Sequence, residues 1–390
     1  MCFFRATRFL QATLLGVASA AWLALPVLGL ADETPTPAEI ARLVADLGSK
    51  EYSKRQQATA ELIAASDEAF EAVEAATKSP DHEVSYRAER ILSMIAQQDQ
   101  KRRIEAFLRR ENLRQPLAFW SDALAVMGDS DNSRRLFASM HEVDGELLEM
   151  AVREPKQIDA ALRDRSAAIM QRTNTGNREQ APLAQIAAIA LVTGSPTLDV
   201  SLGTEQTVLN LFLQQSMRSA MSDEKQREPC KALLSRVIQN VSVEASYQAL
   251  RIAMDYDMPE GLTVARKLLA DDALPHTHFK QMALMTVFKL GTKEDLPQIE
   301  KLLDNKQVIG RVQMNKVIHE LQMRDAALLA AVKLAGLKVE DYFAVTSDQL
   351  QGNPQAFFMN PRTIGFENDT KRDEAVKRYR DAQTAASEKK

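Results

Sequence analysis

Cysteine is almost missing from the chain: 390 residues carry only Cys2 and Cys230. A disulfide framework is therefore excluded as the source of stability, which must come from packing. Glycine and proline number 14 each, and aromatics make up 6%. No run alternates apolar and polar residues as a half-buried strand does. No Asn-Gly or Asp-Gly pair joins two such runs, so strands are not expected. Histidine occurs five times. Gly-x-Ser-x-Gly, a glycine-rich phosphate loop, Cys-x-x-Cys and His-Glu-x-x-His are all missing, and with them the usual signatures of hydrolases, nucleotide enzymes and zinc sites. Nothing in the sequence identifies a catalytic residue or a cofactor, and the expectation is a protein that is not an enzyme.

What the chain does contain is helix-forming residues. Ala, Leu, Met, Gln, Glu, Lys and Arg dominate, and all favour helix. An all-α fold follows. Arg5 and Arg8 precede an uncharged run from Ala12 to Ala31. Pro26 interrupts it, and Gly29 and Ala31 place small residues three and one before Asp32. That order is the pattern of a secretory signal peptide. Left uncut, the run is long enough to anchor the chain in a bilayer. Without Arg5 and Arg8, 47 basic residues face 53 acidic ones, a net charge of −6. Two locally basic runs, Lys101–Arg110 and Lys371–Arg378, interleave acids at helical spacing and read as solvated faces. Nucleic acid is not an expected partner.

The segment 247–271, moved forward by 34 positions, lies on 281–305 with 7 identities in 25 places. Ala249 falls on Ala283, Leu250 on Leu284, Glu260 on Glu294 and Leu262 on Leu296. Lys267-Leu268-Leu269 falls on Lys301-Leu302-Leu303. Each copy reads as two helices and a break. Gly291 is expected in the second break as the left-handed residue that ends a helix. Helix pairs at this period form solenoids, because one pair cannot bury both of its apolar faces.

Near the N-terminus, Thr77-Lys-Ser-Pro-Asp-His-Glu-Val-Ser-Tyr-Arg-Ala-Glu-Arg-Ile-Leu92 resembles the HEAT-like repeat of bacterial α-solenoids. Val84, Ala88 and Leu92 hold the Val, Ala and Leu places, with Ser85 where that family has Arg. Arg55, Ala58 and Leu62 hold the Arg, Ala and Leu places one helix pair earlier, and Arg324 and Ala327 hold the first two near the other end. The layout as a whole resembles exported proteins of this kind, including Phe119-Trp120, Arg135–Met140 and Thr363–Phe366. The resemblance implies a superhelix of stacked antiparallel helix pairs. It also implies a tie from each motif Arg to an upstream Asp, and a scaffold or binding role. The expected divisions are 1–31 signal peptide, 32–99 N-terminal repeats, 100–240 an irregular helical middle, 241–337 C-terminal repeats and 338–390 a cap. In the first repeats one helix carries Phe70, Val73 and Ala76, and in the next Val84, Ala88, Ile91, Leu92 and Ile95 are expected to face inward.

His276-Thr277-His278, downstream of Asp271 and Asp272, is the one pair of imidazoles that resembles a metal site. It reads more simply as the loop and first helical turn between the two 34-residue copies. Cys230 lies in an amphipathic helix and reads as a buried structural thiol. A solenoid's last repeat needs a cover. Residues 340–366 are expected to supply it, with Ser347–Pro361 extended and Phe357, Phe358 and Phe366 as anchors. A helix from Lys371 to about Ala386 would follow. Three roles fit these features. A scaffold could hold a protein or peptide partner, an enzyme or small-molecule binder could use a pocket in the middle, or the chain could be a structural envelope component. The signal-peptide reading makes a direct prediction: the exported protein has the intact mass of a chain starting at Asp32, whereas a mass retaining Met1 indicates an uncleaved anchor.

Overall fold

Thr36 starts the first helix by accepting from the Glu39 N–H at 3.3 Å while the Glu39 carboxylate accepts from the Thr36 N–H at 2.8 Å. This capping box satisfies donors that the helix itself leaves free. The computed structural model describes residues 35–113, 116–174, 180–271, 277–314, 316–352, 358 and 360–387. The signal segment 1–31, its cleavage point, His276 and Phe357 lie outside these residues. The described chain is mostly helical. Among the described residues, no helix is long and apolar enough to cross a membrane.

Two compact units divide between Asp99 and Gln100. The first contains α1 (Pro37–Asp46), α2 (Tyr52–Ala65), α3 (Asp67–Ala76) and the start of α4 (His82–Leu108). Ile40, Leu43, Leu47, Ala58, Leu62, Val73, Ala88 and Ile91 form its core. Asp81 caps α4, accepting from the Glu83 N–H at 2.9 Å. Phe70 on α3 does not face inward. It is 44% exposed, and Ala69, one residue earlier, takes the buried place.

The second unit continues with α5 (Trp120–Met127), α6 (Asp131–Arg153), α7 (Ile158–Asn174), α8 (Leu183–Thr193), α9 (Leu202–Leu211), α10 (Gln215–Ser222), α11 (Arg227–Asn240) and α12 (Ser246–Asp255). Then come α13 (Glu260–Ala270), α14 (Thr277–Leu290), α15 (Leu296–Glu300), strands β1 (Val308–Met314) and β2 (Val317–Gln322), and α16 (Met323–Leu334). The chain closes with α17 (Ser347–Gly352), α18 (Pro361–Ile364) and α19 (Asp369–Ser387). Helix α8 is buried from Ile186 to Val192, as befits a helix that is apolar all round. The Asp144-Gly145 pair makes a kink inside α6, with Asp144 at φ −149°.

Several equivalent positions of the 34-residue match are buried alike, though Leu262 is buried and Leu296 only partly so. Ala249 and Ala283, Leu250 and Leu284, Leu268 and Leu302, and Leu269 and Leu303 are all buried. Helix α12 packs on α9 and α14, and α14 on α16; α13 packs on α11 and α15. Gly291 is needed for a different reason from the one expected. Its φ is not positive. A Cβ there would come within 2.4 Å of the Val287 carbonyl oxygen. Gly336 is the left-handed residue (φ 77°). It ends α16 in a Schellman motif, with Gly336 N–H donating to Lys333 and Leu337 N–H to Val332, both at 2.9 Å.

The hairpin overturns the expectation of no strands. β1 and β2 pair antiparallel from Val308–Gln322 to Met314–Val317. Val317 and Ile318 are exposed whereas Leu321 and Gln322 are buried. Burial therefore grades along the strand instead of alternating, and the period-2 signal is lost. Ser347–Pro361 is not uniformly extended either: α17 and the first residue of α18 fall within it.

Helix α16 is buried at every residue except Lys333. That includes Arg324 and Asp325 at its start, and α19 brings the groups that satisfy them. Arg372 on α19 donates to Asp325 at 2.6 Å and to the Glu320 carbonyl at 3.0 Å. Arg324 donates to Asp369 at 2.8 Å and Asp373 at 3.0 Å. Burial pushes the Asp325 carboxyl up to about 6, against the pull of Arg372 and of the Gln322 N–H. At pH 7.5 Arg372→Met should therefore destabilise the protein by about 3–5 kcal/mol, because it leaves a buried carboxylate without its cation. Urea unfolding checks this. The double variant Arg372→Met/Asp325→Leu should recover part of the loss.

Candidate functional site

The residues singled out in the sequence fall in separate places. Ala58 and Leu62 are core residues of α2, Ala88 is fully buried in α4, and Val84 and Leu92 pack at the margin of the same core. Arg55 donates to the Ser49 carbonyl at 2.6 Å and lies 3.3 Å from Glu83. Ser85 Oγ donates to the Thr77 carbonyl at 2.7 Å, so a hydroxyl ties the preceding turn where the Arg place falls. Arg324, as above, meets Asp369 and Asp373. In neither copy is the partner an upstream Asp. A tie between α13 and the turn before α15 exists at residues the sequence did not mark: Arg266 on α13 donates to buried Asp295 at 2.6 Å.

His278 is an exposed residue of the first turn of α14, 6.0 Å from the Tyr247 ring. Among the described residues no group of three or more His, Cys, Asp and Glu converges as a metal site. Phe358 is fully buried and its ring lies 5.5 Å from that of Phe288. Phe366 is half-buried, 5.7 Å from Phe343, and its backbone bonds to Glu320 in both directions. Ala327 is fully buried.

Phe119-Trp120 and the segment to Met140 form one aromatic cluster. The Trp120 ring is 4.7 Å from Phe107 and 5.1 Å from Phe137. The Arg134 guanidinium lies 4.6 Å over Phe107 and donates to that residue's carbonyl at 2.9 Å. His141 closes the cluster, 4.9 Å from Phe137, with Nε2 donating to the Ala118 carbonyl at 3.0 Å. These groups are satisfied by one another and pack the start of the second unit.

Cys230 is fully buried, and burial pushes its thiol up to about 12. It stays protonated and unreactive at neutral pH.

Among the described residues of the second unit, depressions open in several places, these three among them. One, of about 630 Å³, lies among Pro155, Lys156, Asp159, Thr197 and Ser201. Another, of about 340 Å³, follows α11 past Glu228, Lys231, Ser235 and Gln239, with Val126 and Glu260 as walls. Those four floor residues recur every three to four positions, so the groove runs about 16 Å along the helix. Both hold charges of both signs. The third, of about 360 Å³, lies where the first turns of α6 and α8 meet the residues preceding α11. Among the described residues its lining includes Arg135 and Lys225 and no carboxylate.

No protein-family model, no curated protein and no solved structure matches the chain.

The state of His141 is testable. Burial holds its pKa below the ordinary 6.5, so the folded protein refuses a proton that the unfolded chain accepts. Its contribution to stability is present above pH 6.5 and is lost as pH falls through the folded value. Urea unfolding at pH 7.5 and pH 5 should show a steeper loss for the natural protein than for His141→Gln. Equal losses would show that the imidazole titrates normally.

Proposed function

We propose that the chain is an exported helical-repeat scaffold of the HEAT-like kind, which holds a protein or peptide partner along its stacked helix pairs. One row of hydrogen bonds carries this reading. The four last carbonyls of a helix have no partner within it. Tyr256, just past α12, donates to the carbonyl of Phe212, just past α9, at 2.6 Å. Lys289, near the end of α14, donates to the carbonyl of Met254, near the end of α12. Lys333, near the end of α16, donates to the carbonyl of Phe288, near the end of α14. Each helix end is thus satisfied by the next helix in the row. A cation there also complements the negative end of the helix dipole. Helix ends that match in this way support a reading in which α9, α12, α14 and α16 run side by side in the same direction, with α11, α13 and α15 between them in sequence. That is the relation between successive pairs in a solenoid.

The groove along α11 is the surface this reading assigns to a partner. Its floor is polar and exposes both charges, as suits an extended peptide backbone. A second reading, a small-molecule binder with its site in the middle of the chain, is favoured by the cavity between α6, α8 and α11. Site-specific photo-crosslinking in the source cells separates them. A crosslinker at Gln239 should give one discrete protein adduct and a crosslinker at exposed Arg163 none. No adduct at Gln239, with a small molecule co-purifying instead, would sink the scaffold reading.

A further inference from the structure

Most arginines described in the second unit are spoken for: Arg110, Arg134, Arg165, Arg266, Arg324, Arg372 and Arg380 all meet carboxylates. Arg135 and Lys225 are exceptions on one cavity. Among the described residues neither side chain has a bonding partner, and neither do the other polar side chains that line it, Asn132, Ser139 and Gln226. Five polar side chains with spare donors, two of them cationic, converge on about 360 Å³ with no acid among them. In a chain with a net charge of −4, a lining with two unpaired cations and, among the described residues, no acid is a local reversal of sign, with the Asp223 carboxylate taken up by the Lys225 and Gln226 backbone N–H groups at 2.9 and 3.0 Å. It draws an anion to this place.

The remaining wall is apolar. Leu136 is buried beneath it, and Pro182 and Leu183 bring the start of α8 to its edge. No side chain caps that helix start, so its first N–H groups add further donors. A guanidinium fork matches the two oxygens of a carboxylate. The volume lies in the usual range of small-ligand sites, which combine apolar lining with a few placed polar groups. A phosphate dianion would use the donors but leave the Leu136–Leu183 wall uncovered.

We propose that this cavity binds a carboxylate carried on an aliphatic group, with Arg135 and Lys225 holding the carboxylate and Leu136 and Leu183 covering the chain. The group is either a free organic acid or the C-terminal residue of a polypeptide. The proposal does not rest on the scaffold reading, because a free acid would occupy the site without any protein partner.

Calorimetric titration of the full chain with four probes tests it: hexanoate, N-acetyl-leucine, N-acetyl-leucinamide and inorganic phosphate. At least one of the two carboxylates should bind, and the leucinamide should bind more weakly by about tenfold or more, the loss of one charge-assisted contact. Arg135→Gln and Lys225→Gln, both at exposed positions, should each weaken carboxylate binding by a similar factor and leave the thermal midpoint unchanged. Tighter binding of N-acetyl-leucine than of hexanoate assigns the site to a polypeptide C-terminus, and the reverse order to a free acid. The proposal is overturned if neither carboxylate binds, if the leucinamide binds equally well, if phosphate binds more tightly than both, or if the two variants bind as the natural protein does.

Discussion

A helix buried on every side has to be covered on every side, and α16 imposes that requirement on the end of this protein. Its small residues, Ala326, Ala327, Ala330 and Ala331, let neighbours approach closely, and all four are fully buried. Helices α14 and α15 cover part of it, and strand β2 and helices α18 and α19 cover more. The charged start of α16 makes the cover specific. Arg324 and Asp325 are costly to bury without partners. The partners arrive from α19 as Arg372, Asp369 and Asp373. Val376 and Tyr379 follow on the same helix and are buried as well, and the Tyr379 hydroxyl donates to Glu300 at 2.7 Å. The terminal helix therefore joins α15 and α16 through both charge and apolar burial.

Much of the local architecture was legible because it follows from local rules. Pro37 in a first turn, Asp81 before α4 and the apolar periodicity of 281–290 all reflect short-range geometry. The 34-residue match placed the same leucines in equivalent buried positions. The hairpin was not legible. Its strands grade from exposed Val317 to buried Leu321, and the turn places Lys316, not glycine, at φ 67°. Gly291 looked like a helix-ending glycine, but what matters there is the closeness of the Val287 carbonyl, which only three dimensions reveal. The ties from Lys289, Lys333 and Arg372 span 35 to 52 residues. Nothing in a lysine's or an arginine's neighbours announces a partner that far away.

The candidate sites divide in the same way. Cys230 read correctly as a packed thiol, since a cysteine amid the apolar positions of a helix has few other fates. The two cations of the α6–α8–α11 cavity were invisible in the sequence. Arg135 and Lys225 are 90 positions apart, and each sits among other charges in a pattern typical of exposed helix. Only the fold shows that both line one cavity and that, among the described residues, no acid shares its lining. Lys333 makes the opposite point. It reads as a surface lysine at the end of a helix, yet burial and the nearby Lys289 hold its pKa below the ordinary lysine value. Its proton serves the Phe288 carbonyl of α14.

Native-state hydrogen exchange tests most directly whether the C-terminal segment is an integral cover. In the full chain with rising denaturant, amides of α16, of the β1–β2 hairpin and of α19 should lose protection together, as one cooperative unit. If α19 and the hairpin exchange freely while α16 keeps its full protection, the terminal segment is an appendage and the account of α16 is wrong.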